Sequence, residues 1–190
     1  MSRPSPYTAK VTVPLPSDEE IRAVIGDSYD PEQELNVIKM MAGTEEFYPA
    51  LLGMVQAIFG TPDIDAKHRE IIILRAAAVL DVPYEWQANE QMAGNAGLTP
   101  VEIEALASDG PVTGIDSEYV LIAAATEEML TGGTLKDQTL QQMLDIFGDV
   151  VSRKYIASIA WFSLLGLFLN ATRVPMETTD KLGARTSPLR

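Results

Sequence analysis

Apolar positions recur every three or four residues through most of the chain, and no run alternates strand-fashion between turn signals. The pattern predicts an all-α domain. Ser17-Asp18-Glu19-Glu20 is a capping box that opens a short helix reaching about Gly26. "DPEQELNVIKMMAG" predicts a second helix, capped by Asp30, with Pro31 in its first turn and Gly43 at its end. "EEFYPALLGMVQAIFG" predicts a third, ended by Gly60. "DAKHREIIILRAAAVL" (65–80) predicts a fourth, capped by Asp65 and apolar over so much of its surface that it belongs at the centre. A fifth lies between Pro83 and Gly97. In "TPVEIEAL", Thr99 caps a sixth, Pro100 takes its first turn and Glu102 closes the box. "SEYVLIAAATEEML" (117–130), "LKDQTLQQMLDIF" (135–147) and an apolar run from about Val150 to Thr172 complete the set. Residues 1–16 carry four prolines and read as an extended arm, residues 17–175 as the helical domain, and residues 176–190 as a polar, loosely held tail.

Composition narrows the function classes. With 46% hydrophobic and 22% charged residues, the 190-residue chain has enough apolar surface for a sizeable core. Its net charge of −13 repels nucleic acid and anionic membranes, so neither is expected as a partner. With no cysteine and one histidine, the sequence excludes disulfides, thiol redox chemistry and any multi-histidine zinc site, and no metal is expected. The first sixteen residues lack the apolar stretch of a signal peptide, which makes a cytoplasmic protein the default. Tyr155–Ala171 is strongly apolar but short of the roughly 20 residues that span a bilayer, and polar Ser158, Ser163 and Asn170 interrupt it. A buried or subunit-facing helix is expected there.

The candidate chemistry sits on the fourth and fifth helices. Helical spacing puts Val82, Glu85, Asn89, Met92, Ala93 and Ala96 on one otherwise apolar face. Glu85 and Asn89 are one turn apart and within reach of each other. A buried carboxylate is costly unless hydrogen-bonded or neutralised. The pair is therefore either a packing device or part of a functional pocket, where a raised pKa suits proton transfer. Glu70 lies on the fourth helix with Ile73, Leu74 and Ala77, either as a dipole-complementing acid or as a second catalytic carboxyl. His68 reads as a surface or capping histidine, with a catalytic role as the alternative. Arg75 is a counter-ion for Glu70 or Glu85, or an exposed charge. Tyr84 and Trp86 flank Glu85 as core aromatics or as walls for a flat or cyclic ligand. "GTPDID" and "TGGT" lack the spacing of a phosphate loop.

The segment "HREIIILRAAAVLDVPYEWQANEQMAGNAGLTPVEIEAL" resembles the carboxymuconolactone decarboxylase superfamily, which includes the alkylhydroperoxidase D-like proteins. Arg69-Glu70, Tyr84-Glu85-Trp86, Ala96-Gly97-Leu98-Thr99 and Glu102 carry the resemblance. It implies a single helical domain of the alkylhydroperoxidase D-like type and a homo-oligomer, a trimer or hexamer. The peroxidase branch has two cysteines and a histidine where this chain has Val82, Glu85 and Asn89, so thiol peroxidase activity is not implied. Non-redox members keep a glutamate and a histidine four residues apart, and here the histidine is replaced by Asn89. Asparagine takes up no proton near neutral pH. Acid-base work then falls to Glu85, with Glu70 or His68 assisting and Asn89 orienting a carbonyl or holding an enolate.

The resulting expectation is a cofactor-independent lyase or isomerase. It would act on a small cyclic or unsaturated carbonyl or lactone, with Glu85, Asn89, Glu70 and His68 as catalytic residues and Tyr84 and Trp86 shaping the pocket. The alternative is a catalytically silent member that binds a small ligand or serves assembly. A site filled by Met92 and Trp86 would favour that alternative.

Overall fold

The computed structural model describes residues 3–189, so Met1, Ser2 and Arg190, at the outer ends of the expected arm and tail, lie outside the described residues. The described residues form helices and no strand. In order these are α1 (Asp18–Ile25), α2 (Asn36–Ala42), α3 (Tyr48–Gly60), α4 (Ala66–Leu80), α5 (Pro83–Ala96), α6 (Pro100–Leu106), α7 (Ser117–Gly132), α8 (Asp137–Thr172) and α9 (Thr179–Leu182).

The sequence punctuation works where side chains and backbone meet locally. The Ser17 and Thr99 boxes both close: Ser17 and Thr99 accept from the N–H of Glu20 and Glu102, and each glutamate accepts back from its cap at 2.7 Å. Asp65 accepts from the Lys67 amide at 2.8 Å and so starts α4. Gly97 ends α5 at φ 98°, in the left-handed region that costs glycine little.

Two boundaries differ from the expectation. Asp30 organises a single turn, accepting from the amides of Glu32 and Glu34, but α2 does not begin there. Leu35 leaves the helical region (φ −72°, ψ 150°) to bury its side chain completely, and α2 starts after it. A 3-10 turn at Glu45–Phe47 precedes α3, and Pro49 takes the first turn of α3, where its missing N–H costs nothing. The two expected C-terminal helices are present as the two limbs of α8, residues 137–147 and 149–172, separated at Gly148, whose φ 73°, ψ 171° is not helical.

α4 is the hub, packed against α5, α6, α7 and α8. Ile71, Ile72 and Leu74 are fully buried, each contributing about 2 kcal/mol of hydrophobic stabilisation. This explains why α4 shows little amphipathic pattern: it has neighbours on every side. The two limbs of α8 together count 36 residues and include a stretch that by composition alone is apolar enough for a membrane, but Gly148 breaks the helix and half of that stretch is buried within the molecule. Tyr155, Ile159, Phe162, Leu165 and Leu169 form its inner face.

The segment after α8 is held down, contrary to its polar appearance. Val174 and Leu182 are buried, and the Glu177 backbone exchanges two hydrogen bonds with the Gln87 side chain on α5. Further along, the amides of Gln91 and Asn95 hold the carbonyls of Gly183 and Arg185. Side-chain amides on α5 thus add to the apolar anchors Val174 and Leu182.

Candidate functional site

α5 begins at Pro83, whose fixed φ suits a first turn, and its first two turns are buried on both flanks. That entry points Glu85 and Asn89 inward together. The Asn89 side-chain NH2 donates to the Glu85 carbonyl at 2.9 Å and to Glu85 Oε2 at 2.7 Å. Burial pushes the Glu85 carboxyl up to about 7, and the Asn89 bond opposes part of that shift by favouring the ionised form.

Glu70, on α4, is completely buried and neither carboxyl oxygen has a hydrogen-bond partner among the described residues. Its nearest formal counter-charge is Arg69, with Nε 3.8 Å from Oε1, too long for a hydrogen bond. Burial raises its pKa to about 8, with Arg69 lowering and Glu85 raising it. Two carboxyl groups on adjacent helices therefore sense each other's charge in an apolar setting.

A cavity of about 30 Å³ adjoins Glu85 and Asn89, walled by α2, α3, α4, α5 and α8. It has room for one or two waters. Met92 and Tyr84 are in its wall, and Pro188 reaches it from the chain's last segment.

The other expected site residues separate. Tyr84 lines the cavity, but its hydroxyl is occupied: it accepts from the Val37 amide at 3.0 Å and donates to Glu177. Trp86 does not line the cavity; it is buried on another flank with Arg3 of the N-terminal arm 5.8 Å from its ring. One residue's difference in helix register, about 100° of rotation, separates it from Glu85. His68 lies with Tyr155, Tyr119 and Phe147 between α4, α7 and α8. Its Nδ1 is 2.7 Å from the Tyr155 hydroxyl, and burial lowers its pKa. It is neither an exposed nor a capping histidine, and it makes no hydrogen bond to Glu70 or Glu85. Arg75, expected as a counter-ion to those glutamates or as an exposed charge, is fully buried and serves neither acid. Its guanidinium gathers the carbonyls of Leu106, Ser108 and Gly110 and pairs with Glu127, fixing the chain after α6.

The wall residues that helical spacing did not announce are Leu35, Phe59, Phe162 and Pro188. They come from four distant parts of the chain, and only packing brings them together.

Residues 45–127 match the carboxymuconolactone decarboxylase family. The fold is similar to a crystal structure from Ralstonia eutropha JMP134, described as an alkylhydroperoxidase AhpD core and an uncharacterized peroxidase-related protein. The TM-score is 0.75 at 14% identity, covering 95% of this chain and 100% of that one. No curated protein matches the chain.

Proposed function

We propose that this chain, whose residues 45–127 match the carboxymuconolactone decarboxylase family and whose fold is similar to an alkylhydroperoxidase AhpD core, is a non-redox enzyme that moves a proton on a small carbonyl compound. The observation that carries this reading is the Glu85–Asn89 pair facing a cavity, with a carboxyl poised near 7 where it can both take and give a proton. Glu85 removes a proton next to the carbonyl and returns it elsewhere, giving isomerisation, or accepts and delivers it during ring opening or decarboxylation. Asn89 holds Glu85 in orientation. Glu70, whose own ionisation burial and an ionised Glu85 both oppose, keeps its proton while Glu85 titrates, so one proton stays available to the site. His68 and Trp86 drop out of the proposed machinery because their side chains are engaged elsewhere.

The small size of the cavity favours a second reading, a silent member whose core retains the acid-amide pair for packing. Turnover by Glu85→Gln on a substrate found by screening cyclic unsaturated carbonyl compounds and lactones decides between them. The enzyme reading expects a loss of about 100-fold or more with the fold retained. Unchanged turnover would overturn it.

The same reading includes self-association. The exposed face of α8 carries Ala157, Ala160, Leu164, Leu167 and Ala171 at alternating three- and four-residue spacing, a seam suited to a second helix.

A further inference from the structure

The cavity beside Glu85 is chemically one-sided. Its wall is hydrocarbon except at Tyr84, Glu85 and Asn89. The Tyr84 hydroxyl is committed to Val37 and Glu177, and the Asn89 NH2 to Glu85 itself. Because Glu85 Oε2 accepts from Asn89, the proton of the neutral carboxyl sits on Oε1, which becomes the donor offered to a guest. No lysine, arginine or histidine lines the cavity. Arg69 is engaged elsewhere: its guanidinium carbon lies 4.2 Å from the Phe59 ring centroid and its Nε faces Glu70. An anionic guest would bring a further acid beside Glu85 and Glu70 with no cation in the wall to offset it.

We propose that the Glu85 site takes an uncharged, mostly hydrocarbon carbonyl compound, such as a cyclic enone or lactone, with its carbonyl oxygen against Glu85 Oε1, and that it rejects free carboxylates. This rests on the reading of Glu85 as a ligand-facing group, and it narrows the substrate class within that reading. The wall supplies dispersion contacts on all sides and a single hydrogen-bond donor, which fits one polar atom on an apolar frame. It also argues against decarboxylation of a free acid, since the group to be lost would enter as a buried anion. The present 30 Å³ accommodates waters only. A guest therefore displaces Pro188, which lies beyond Gly183 and Arg185, where the side-chain amides of Gln91 and Asn95 hold the last segment.

The test compares neutral and anionic probes of one ring size on the full chain: cyclohexenone and dihydropyranone against cyclohexenecarboxylate, by ligand-observed NMR titration. At about pH 6 an ordinary carboxylic acid is ionised while Glu85, at about 7, keeps its proton. The neutral probes should bind at least ~100-fold more tightly than the carboxylate, equivalent to about 2.7 kcal/mol. Glu85→Leu, which removes the donor that holds the carbonyl oxygen, should weaken the neutral probes and so maps the binding to this site. Gln91→Ala with Asn95→Ala, which loosens the last segment without touching the wall, should speed exchange of the neutral probes. Equal or tighter binding of the carboxylate would overturn the proposal. So would absence of neutral-probe binding in both the native chain and the loosened variant, or neutral-probe affinity unmoved in Glu85→Leu. Failure here with turnover still lost in Glu85→Gln leaves proton transfer standing and removes only the neutral substrate class. Persistent selectivity with full turnover in Glu85→Gln does the reverse.

Discussion

At the scale of single residues, the chemistry of this protein reduces to how one carboxyl is kept inside an apolar helix face. Glu85 is held by Asn89, whose hydrogen bond favours the ionised form against a larger push from burial. Removing that bond must therefore raise the Glu85 pKa further. Asn89→Ala should move the acid-side limb of the pH–rate profile, where Glu85 must be ionised to take the first proton, to higher pH, and a pH series of kcat/KM on the screened substrate checks this. A profile that stays in place would show that Glu85 does not govern the rate. Asn89 does not titrate near neutral pH. A histidine there would itself titrate, whereas the amide leaves the proton with Glu85.

At the scale of elements, α8 shows how one backbone position sets a long helix. Gly148 at φ 73°, ψ 171° lies in a region open to glycine and costly for other residues. A Cβ there would meet no atom within 4 Å, so the cost of substitution is conformational and not steric. Gly148→Ala should destabilise the protein by about 1–3 kcal/mol, read as a lower melting temperature by differential scanning calorimetry. An unchanged Tm would mean that α8 can straighten without losing its packing. Downstream of the break, Ser152 donates to the Met143 carbonyl and ties the two halves together.

At the scale of the whole molecule, two properties follow from placing charge and apolar surface together. The first is assembly. Val150, Leu164 and Leu167 are 51–61% exposed on the outer face of α8, in a stripe free of acids from Ala157 to Ala171. Light scattering at micromolar concentration should give a trimer or hexamer, and Leu164→Asp with Leu167→Asp should lower the mass towards the monomer. A monomeric native protein would rule this out. The second is pH-dependent stability. Glu70 and Glu85 have folded pKa values of about 8 and about 7, above the ordinary 4.5. Between those limits the unfolded chain releases protons that the folded chain retains, so their contribution falls as pH rises and is restored below about 4.5. Native protein should lose several kcal/mol between about pH 5 and pH 8 relative to a Glu70→Gln, Glu85→Gln double variant, in urea titrations. His68, whose pKa is lowered, acts in the opposite direction and is common to both proteins. Parallel pH curves would show that the two carboxyl groups are not buried as acids.

The sequence by itself determined the helices whose ends are made by neighbours in the chain. The Ser17 and Thr99 boxes, the Asp65 cap, the Gly97 stop and the inward Glu85–Asn89 turn are all contacts within four residues, where spacing and geometry are one thing. Tyr84, Glu85 and Trp86 were equally legible as a motif, but their separate destinations were not. Tertiary structure decided that Tyr84 binds Glu177, 93 positions away, that Trp86 turns from the cavity, and that His68 goes to Tyr155. It also gave Arg75 to the carbonyls after α6, placed Leu35 where α2 was expected to have begun, and brought Pro188 to the cavity wall. Each of these depends on which helices meet around α4. Periodicity gives a helix its buried side but carries no information about the residue that waits across the gap.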